Sequence, residues 1–147
     1  SVLTPQGAFL YAKLQADQGK FDAARPALEF VVQKASDEGH QALARLRLAA
    51  LLIERKDLDG ALTQLSAKAP TPFAPLFDDR RGDVLALQGK SAEAVAAYQA
   101  AWKAMDERMD YRRLVEVKLV ALGADPKPTG EAKSAAGASQ PKGGASS

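Results

Sequence analysis

The chain has 147 residues, 46% of them apolar but only 6% aromatic, and its 20 basic and 18 acidic residues are interleaved. That length suits one domain with a core of its own; abundant alanine beside few aromatics points to closely packed helices rather than a β-sandwich, and the mixed charge lacks the basic, aromatic-studded stripe of a nucleic-acid binder. Zero cysteine excludes disulfides, thiolate zinc sites and cysteine nucleophiles, and no run reaches the ~18 apolar residues of a membrane span.

Ser1 opens onto a helix-start signal rather than a signal-peptide pattern, so the chain reads as soluble. The first predicted helix covers residues 5–18, with Thr4 as N-cap and Pro5 at the first helical position. The second covers 22–35 and carries Pro26 within its opening turns. The third, 40–55, is apolar on nearly every face, as a helix buried between neighbours would be. A fourth spans 58–68 with Asp57 as N-cap, and PTPFAP (Pro70 to Pro75) then forces a break. Helices at 76–88 and 91–105 follow, the latter capped by Ser91, and a last helix at 109–122 closes the stack. From Gly123 to Ser147 there is no large apolar residue, so 123–147 reads as a disordered tail on a domain of residues 1–122.

The folded part repeats itself. GKFDAARPAL from Gly19, KDLDGALTQL from Lys56 and GKSAEAVAAY from Gly89 each give a turn, an acid and then an alanine opening an amphipathic helix. The aligned alanines, Ala24, Ala61 and Ala94, are 37 and 33 residues apart. A period of about 34 with two helices per unit marks a tetratricopeptide-type solenoid, so the expected fold is all-α with about seven helices. The helix before each turn has a small residue at its middle (Ala12, Ala49, Gly82), which allows its partner close approach. Gly82 should face the helix around Ala94 and Tyr98.

Nothing in this chain assembles into a catalytic motif. Gly-Lys at Gly19 and Gly89 lacks the spacing of a phosphate cradle. His40 is the only histidine and reads as a surface residue at a helix start. Asp79 and Asp83 share a helix face, but Arg80 and Arg81 between them favour surface ion pairing, Arg80 with Asp83, while Asp78 and Asp79 serve the helix N-terminus. Arg81-Gly82-Asp83 spells an adhesion tripeptide by coincidence, since it is helical rather than looped. Tyr11, Phe30, Tyr98 and Trp102 read as core. No cofactor and no metal is expected, and no enzyme. A solenoid without catalytic groups is expected to bind protein segments on its concave face. The candidate partner-binding residues are Lys13, Asp17, Glu54, Asp79, Arg80 and Asp83, with Phe73 and Phe77 either tucked under the repeat or offered to a partner.

The stretches LARLRLAALLIERKDLDGALTQL, DDRRGDVLALQGKSAEAVAAYQAAW and LVEVKLVAL resemble the YfgM family, the ancillary Sec-translocon subunits of Gram-negative bacteria, over about Gly39 to Leu122 and more weakly back to Ala8. A generic repeat explains Gly82, Gly89, Ala94 and Tyr98; Arg81-Gly82-Asp83 after a proline-rich loop and a terminal helix ending at Leu122 carry the rest. The resemblance implies a single-span inner-membrane protein with its repeat domain in the periplasm. It also implies association with the Sec translocon and with a membrane-anchored periplasmic chaperone. The family's N-terminal anchor has no counterpart in residues 1–147, and the Ala/Pro/Lys-rich tail is not a family feature. The alternatives are a cytosolic adaptor of the same fold and a repeat protein that associates with itself.

Overall fold

Seven α-helices in antiparallel neighbouring pairs build the domain, and no strand occurs among the described residues, 3–126 of the computed structural model. They are α1 (Pro5–Asp17), α2 (Phe21–Lys34), α3 (Glu38–Glu54), α4 (Leu58–Leu65), α5 (Ala74–Leu87), α6 (Ser91–Ala104) and α7 (Asp110–Ala121). A 3-10 turn at Thr71–Phe73 absorbs the prolines between α4 and α5. The tail reading falls on residues 127–147, which lie outside the described ones.

One local device sets the period. The first helix of each unit ends in the same two hydrogen bonds: Gly19 N–H to Ala16 O and Lys20 N–H to Gln15 O, then Lys56 to Ile53 and Asp57 to Leu52, Gly89 to Ala86 and Lys90 to Leu85, and Gly123 to Val120 and Ala124 to Leu119. This C-cap motif needs a left-handed residue, and φ is +76° at Gly19, +79° at Gly89 and +76° at Gly123. Lys56 holds the same conformation at +65° without being glycine. The fourth occurrence makes α7 the counterpart of the first helix of each preceding unit.

Ala24, Ala61 and Ala94, at the first turn of each second helix, are fully buried. Across each pair stand Ala12, Ala49 and Gly82, also buried. At Gly82 the approach is closest: a Cβ there would lie 2.6 Å from both Cδ1 and Cε1 of Tyr98, so only glycine admits the ring. One apolar core runs from α1 to α5 and a second joins α5, α6 and α7, with Leu62 packed against both. Pro26 leaves α2 unbroken because it stands six residues in, where a single ladder bond is forgone.

Several expectations need correction. Asp57 and Thr4 cap α4 and α1 as read, accepting from Gly60 N and Gly7 N. Ser91, by contrast, is the first residue of α6, whose N-cap is Lys90. The proline turn starts α5 at Ala74, so Asp78 and Asp79 stand in its second turn and do not serve its N-terminus. His40 is half-buried, its ring edge-on to Phe9 at 6.4 Å between centroids. Tyr11 and Phe30 are exposed rather than core, because no helix among the described residues covers their faces. The fold also extends past Leu122: Ala124 packs on the second core and the Asp125 carbonyl accepts from Gln99.

Candidate functional site

Helices α1 and α3 are the first helices of consecutive units, and their exposed faces flank a groove of about 390 Å³. Small side chains give it room: Ala12, Ala16 and Ala50 along the walls, Ala24 and Leu28 of α2 beneath. On α3 the stripe is Arg47, Ala50, Leu51 and Glu54, spaced as one helix face. Charged groups stand over this apolar base. Lys13 and Asp17 pair with each other at 3.0 Å, both well exposed. Arg47 covers the Phe9 ring at 4.8 Å from its centroid, which leaves the guanidinium edge open to an acceptor. Glu54 is exposed on the far end of the same wall.

Lys13, Asp17 and Glu54 are therefore brought together in one groove. The other five residues singled out in the sequence go elsewhere. Phe77 is 2% exposed in the first core, and Phe73 is half-buried against it, so the tucked arrangement is the one observed. As placed, Phe77 has no surface to give a partner.

Asp79, Arg80 and Asp83 belong to a polar network between α5 and α7. Asp79 is 0% exposed, and its carboxylate accepts from Tyr111 Oη (2.5 Å), Arg80 Nη1 (2.8 Å) and Lys118 Nζ (3.0 and 3.2 Å). Arg80 also donates to the Tyr111 hydroxyl. Asp83 accepts from Tyr98 Oη at 2.5 Å and pairs with Lys118 at 3.0 Å. The Arg80–Asp83 surface pair is thus replaced: Arg80 turns to Asp79, and Arg81 pairs with Asp78 at 2.9 Å. The cause is α7, which covers this face of α5 and brings its own cation and phenol.

The environment shifts the network's titrations in one direction. Burial, then the hydrogen bond to Asp83, pushes the Tyr98 phenol far up; burial and Asp79 raise Tyr111 likewise. For Lys118 burial works against the charge, but bonds to Asp79 and Asp83 outweigh it and the ammonium is held more tightly than usual. Such a satisfied cluster fixes helices in place. Among the described residues no group of three or more His, Asp or Glu is placed to hold a metal.

Reading the sequence alone missed Arg47 and Ala50, although they share the i, i+3, i+7 face with Glu54. It also missed Tyr111 and Lys118. Their signal was present: Lys118 and Glu116 are the two charged residues in an otherwise aliphatic run, LVEVKLVAL.

Comparison with known proteins agrees with this architecture. The family described as "Tetratricopeptide repeat-like domain" matches residues 2–124. A relative from Neisseria gonorrhoeae, named "Ancillary SecYEG translocon subunit", is 34% identical over 122 residues, which is 83% of this chain and 58% of that protein. The chain thus spans little more than half the length of the relative it matches. No solved structure matches it significantly. A paired-helix repeat found along nearly the whole folded length, and kept in an ancillary translocon subunit, places the chain in the tetratricopeptide repeat-like family and, within it, in the YfgM family.

Proposed function

We propose that the chain is the protein-binding part of a Sec-translocon-associated subunit, a non-catalytic scaffold that holds a segment of another protein in the groove between α1 and α3. The observation that carries this reading is the groove itself. Its apolar base is wide because alanines line it, and it is rimmed by Lys13, Asp17, Arg47 and Glu54. Such a site suits a helical or extended segment that brings aliphatic side chains to the base and mixed charge to the rim. The relative's name supports the translocon as the setting. Work in the periplasm, anchoring to the inner membrane, and cooperation with a membrane-anchored periplasmic chaperone belong to the same proposal and rest on the family resemblance. No helix among the described residues is long and apolar enough to cross a membrane.

A photo-crosslinking side chain at Lys13, on the α1 rim of the groove, placed in the full-length protein in intact cells, tests the reading. Adducts with a translocon subunit or an envelope chaperone are the expected result. Ala50→Trp should fill the groove and cut the adduct yield at least tenfold with helicity unchanged, because Ala50 is exposed. Adducts with cytosolic proteins alone, or yields indifferent to Ala50→Trp, would overturn it.

A further inference from the structure

The groove between α1 and α3 has a direction. Both helices run the same way, since each is antiparallel to α2, and they end on Asp17 and Glu54. Each acid stands two places before the left-handed residue of its turn, Gly19 or Lys56. The repeat thus sets two carboxylates at one end of the groove. There both helix dipoles are negative, so a cation is favoured and an acid is not. Helices α2, α6 and α7 obey that preference with Lys34, Lys103 and Lys118 in their last turns, whereas α1 and α3 have no basic residue there. Lys13 offsets Asp17 from one turn back. Glu54 is in no ion pair among the described residues, and Arg55 beside it is turned to the Phe21 ring at 4.8 Å.

Towards the other end the groove is cationic. Arg47 lies seven residues before Glu54 on the same face of α3, two turns or about 10 Å away. Its guanidinium rests on the Phe9 ring and is in no ion pair among the described residues. Between the two charges the lining is apolar: Ala12, Ala16, Ala50 and Leu51.

We infer that the groove takes an amphipathic helix of fixed charge order, with an acidic residue at Arg47, a basic residue seven places away at Glu54, and aliphatic side chains between them. This rests on the groove being the site that holds a protein segment, and adds what that segment carries. Charge complementarity sets the order. Arg47 lacks a carboxylate and Glu54 lacks a cation, so a segment of mixed charge satisfies both. A wholly acidic or wholly basic segment satisfies one and is repelled at the other. Lys13 and Arg47 balance Asp17 and Glu54, so the net charge of a partner gains it nothing and the order decides. The spacing selects a helix. Helical positions i and i+7 share a face about 10 Å apart, while an extended chain sets residues of one face about 7 or 13 Å apart.

Fluorescence anisotropy with three labelled, end-capped helical peptides of alanine and leucine, each about 16 residues long, tests the inference. The first carries Glu and Lys seven places apart, matching Arg47 to Glu54; the second carries Glu at both places and the third Lys at both. The purified chain should bind the first about threefold more tightly than either of the others, the scale of one exposed ion pair. That preference should vanish in about 1 M salt. Arg47→Glu should switch the preference to the two-Lys peptide, and Glu54→Lys should switch it to the two-Glu peptide. Both side chains are exposed, so circular dichroism should be unchanged in either variant. Equal affinity for the three peptides, or a preference that ignores these substitutions, would overturn the inference. The wider reading of the groove would still stand in that case, provided that Ala50→Trp blocks the binding. A chain that binds none of the peptides at up to about 1 mM would overturn the inference as well. Cross-linking from Lys13 then decides the wider reading separately.

Discussion

Enlarging Gly82 tests the packing of the third unit most directly. The Cβ of alanine would meet Cδ1 and Cε1 of Tyr98 at 2.6 Å and Cζ at 3.0 Å, distances at which something must move. The ring cannot swing away cheaply. It is buried, and its hydroxyl donates to Asp83, itself tied to Lys118. Two effects oppose each other: alanine gains about 1 kcal/mol over glycine in a helix interior, while overpacking costs about 1–3 kcal/mol. Gly82→Ala should therefore destabilise by about 0–2 kcal/mol, and Gly82→Leu, with three more carbons against the same ring, by about 3 kcal/mol or more. Urea denaturation followed by circular dichroism, with Trp102 fluorescence as a second probe, measures both. The decisive arm is a double-mutant cycle. Tyr98→Ala removes the ring, so adding Gly82→Ala to it should become stabilising by about 1 kcal/mol, a reversal of sign. A Gly82→Leu variant as stable as the parent, or a Gly82→Ala effect of the same sign in both backgrounds, would refute the account of why glycine stands here.

Three further outcomes follow from the same geometry. Lys56 is the one non-glycine in the left-handed position that ends each unit's first helix; Lys56→Gly should raise stability by about 1 kcal/mol, read from the urea midpoint. Asp57 accepts from Gly60 N at 2.9 Å, so Asp57→Ala should cost about 1 kcal/mol by the same assay, with the loss largest in amide-exchange protection of α4. Tyr98, Tyr111 and Lys118 all bind their protons more tightly folded than unfolded. Once pH exceeds about 10 the unfolded chain holds fewer protons than the native one, so this stability is complete below that pH and is lost as pH rises through the folded values. The urea midpoint should fall on going from about pH 9 to pH 11, and the Tyr98→Phe, Tyr111→Phe pair should fall less steeply. Phenol absorbance titrating at the same pH in native and unfolded protein would contradict this.

Much of the fold was legible because its signals are local. Thr4, Asp57, Gly19, Gly89 and the prolines from Pro70 to Pro75 act within a few residues of themselves, so element boundaries could be placed closely. Ala12, Ala49 and Gly82 were legible for another reason: a repeat writes each inter-helix contact three times, and the common small residue stands out. The site was less legible because it depends on which face of one helix meets another. Lys13, Asp17 and Glu54 fell into the groove, but Arg80 and Asp83, on the equivalent face of α5, are covered by α7. Periodicity along α5 cannot disclose that cover. Its hydrophobic pattern is nearly featureless, with Phe77, Asp79, Gly82, Val84 and Leu85 all buried, because it is enclosed on several sides at once. An Asp at the centre of such a helix reads as surface until the partner cation, thirty-nine residues away at Lys118, is seen beside it.

The polar network has a further consequence for how the stack ends. A buried ion pair is weak evidence of net stabilisation, since desolvation offsets much of the attraction. What it supplies at α7 is a choice between two arrangements of similar apolar content. Val115, Leu119 and Leu122 form one aliphatic side of this helix, and Leu114, Val117 and Val120 form another. Turning α7 about its axis would bury the second set in place of the first with little change in apolar area, so hydrophobic burial alone leaves the rotation undecided. Asp79 decides it. Fully enclosed, its carboxylate is met by Lys118 and Tyr111 of α7 as well as by its neighbour Arg80, and the turned helix would take the first two away and set aliphatic side chains against the carboxylate, at a cost of several kcal/mol. The network therefore holds Leu114, Val117 and Val120 outward, and an apolar stripe that would otherwise collapse into the core stays available at the end of the array.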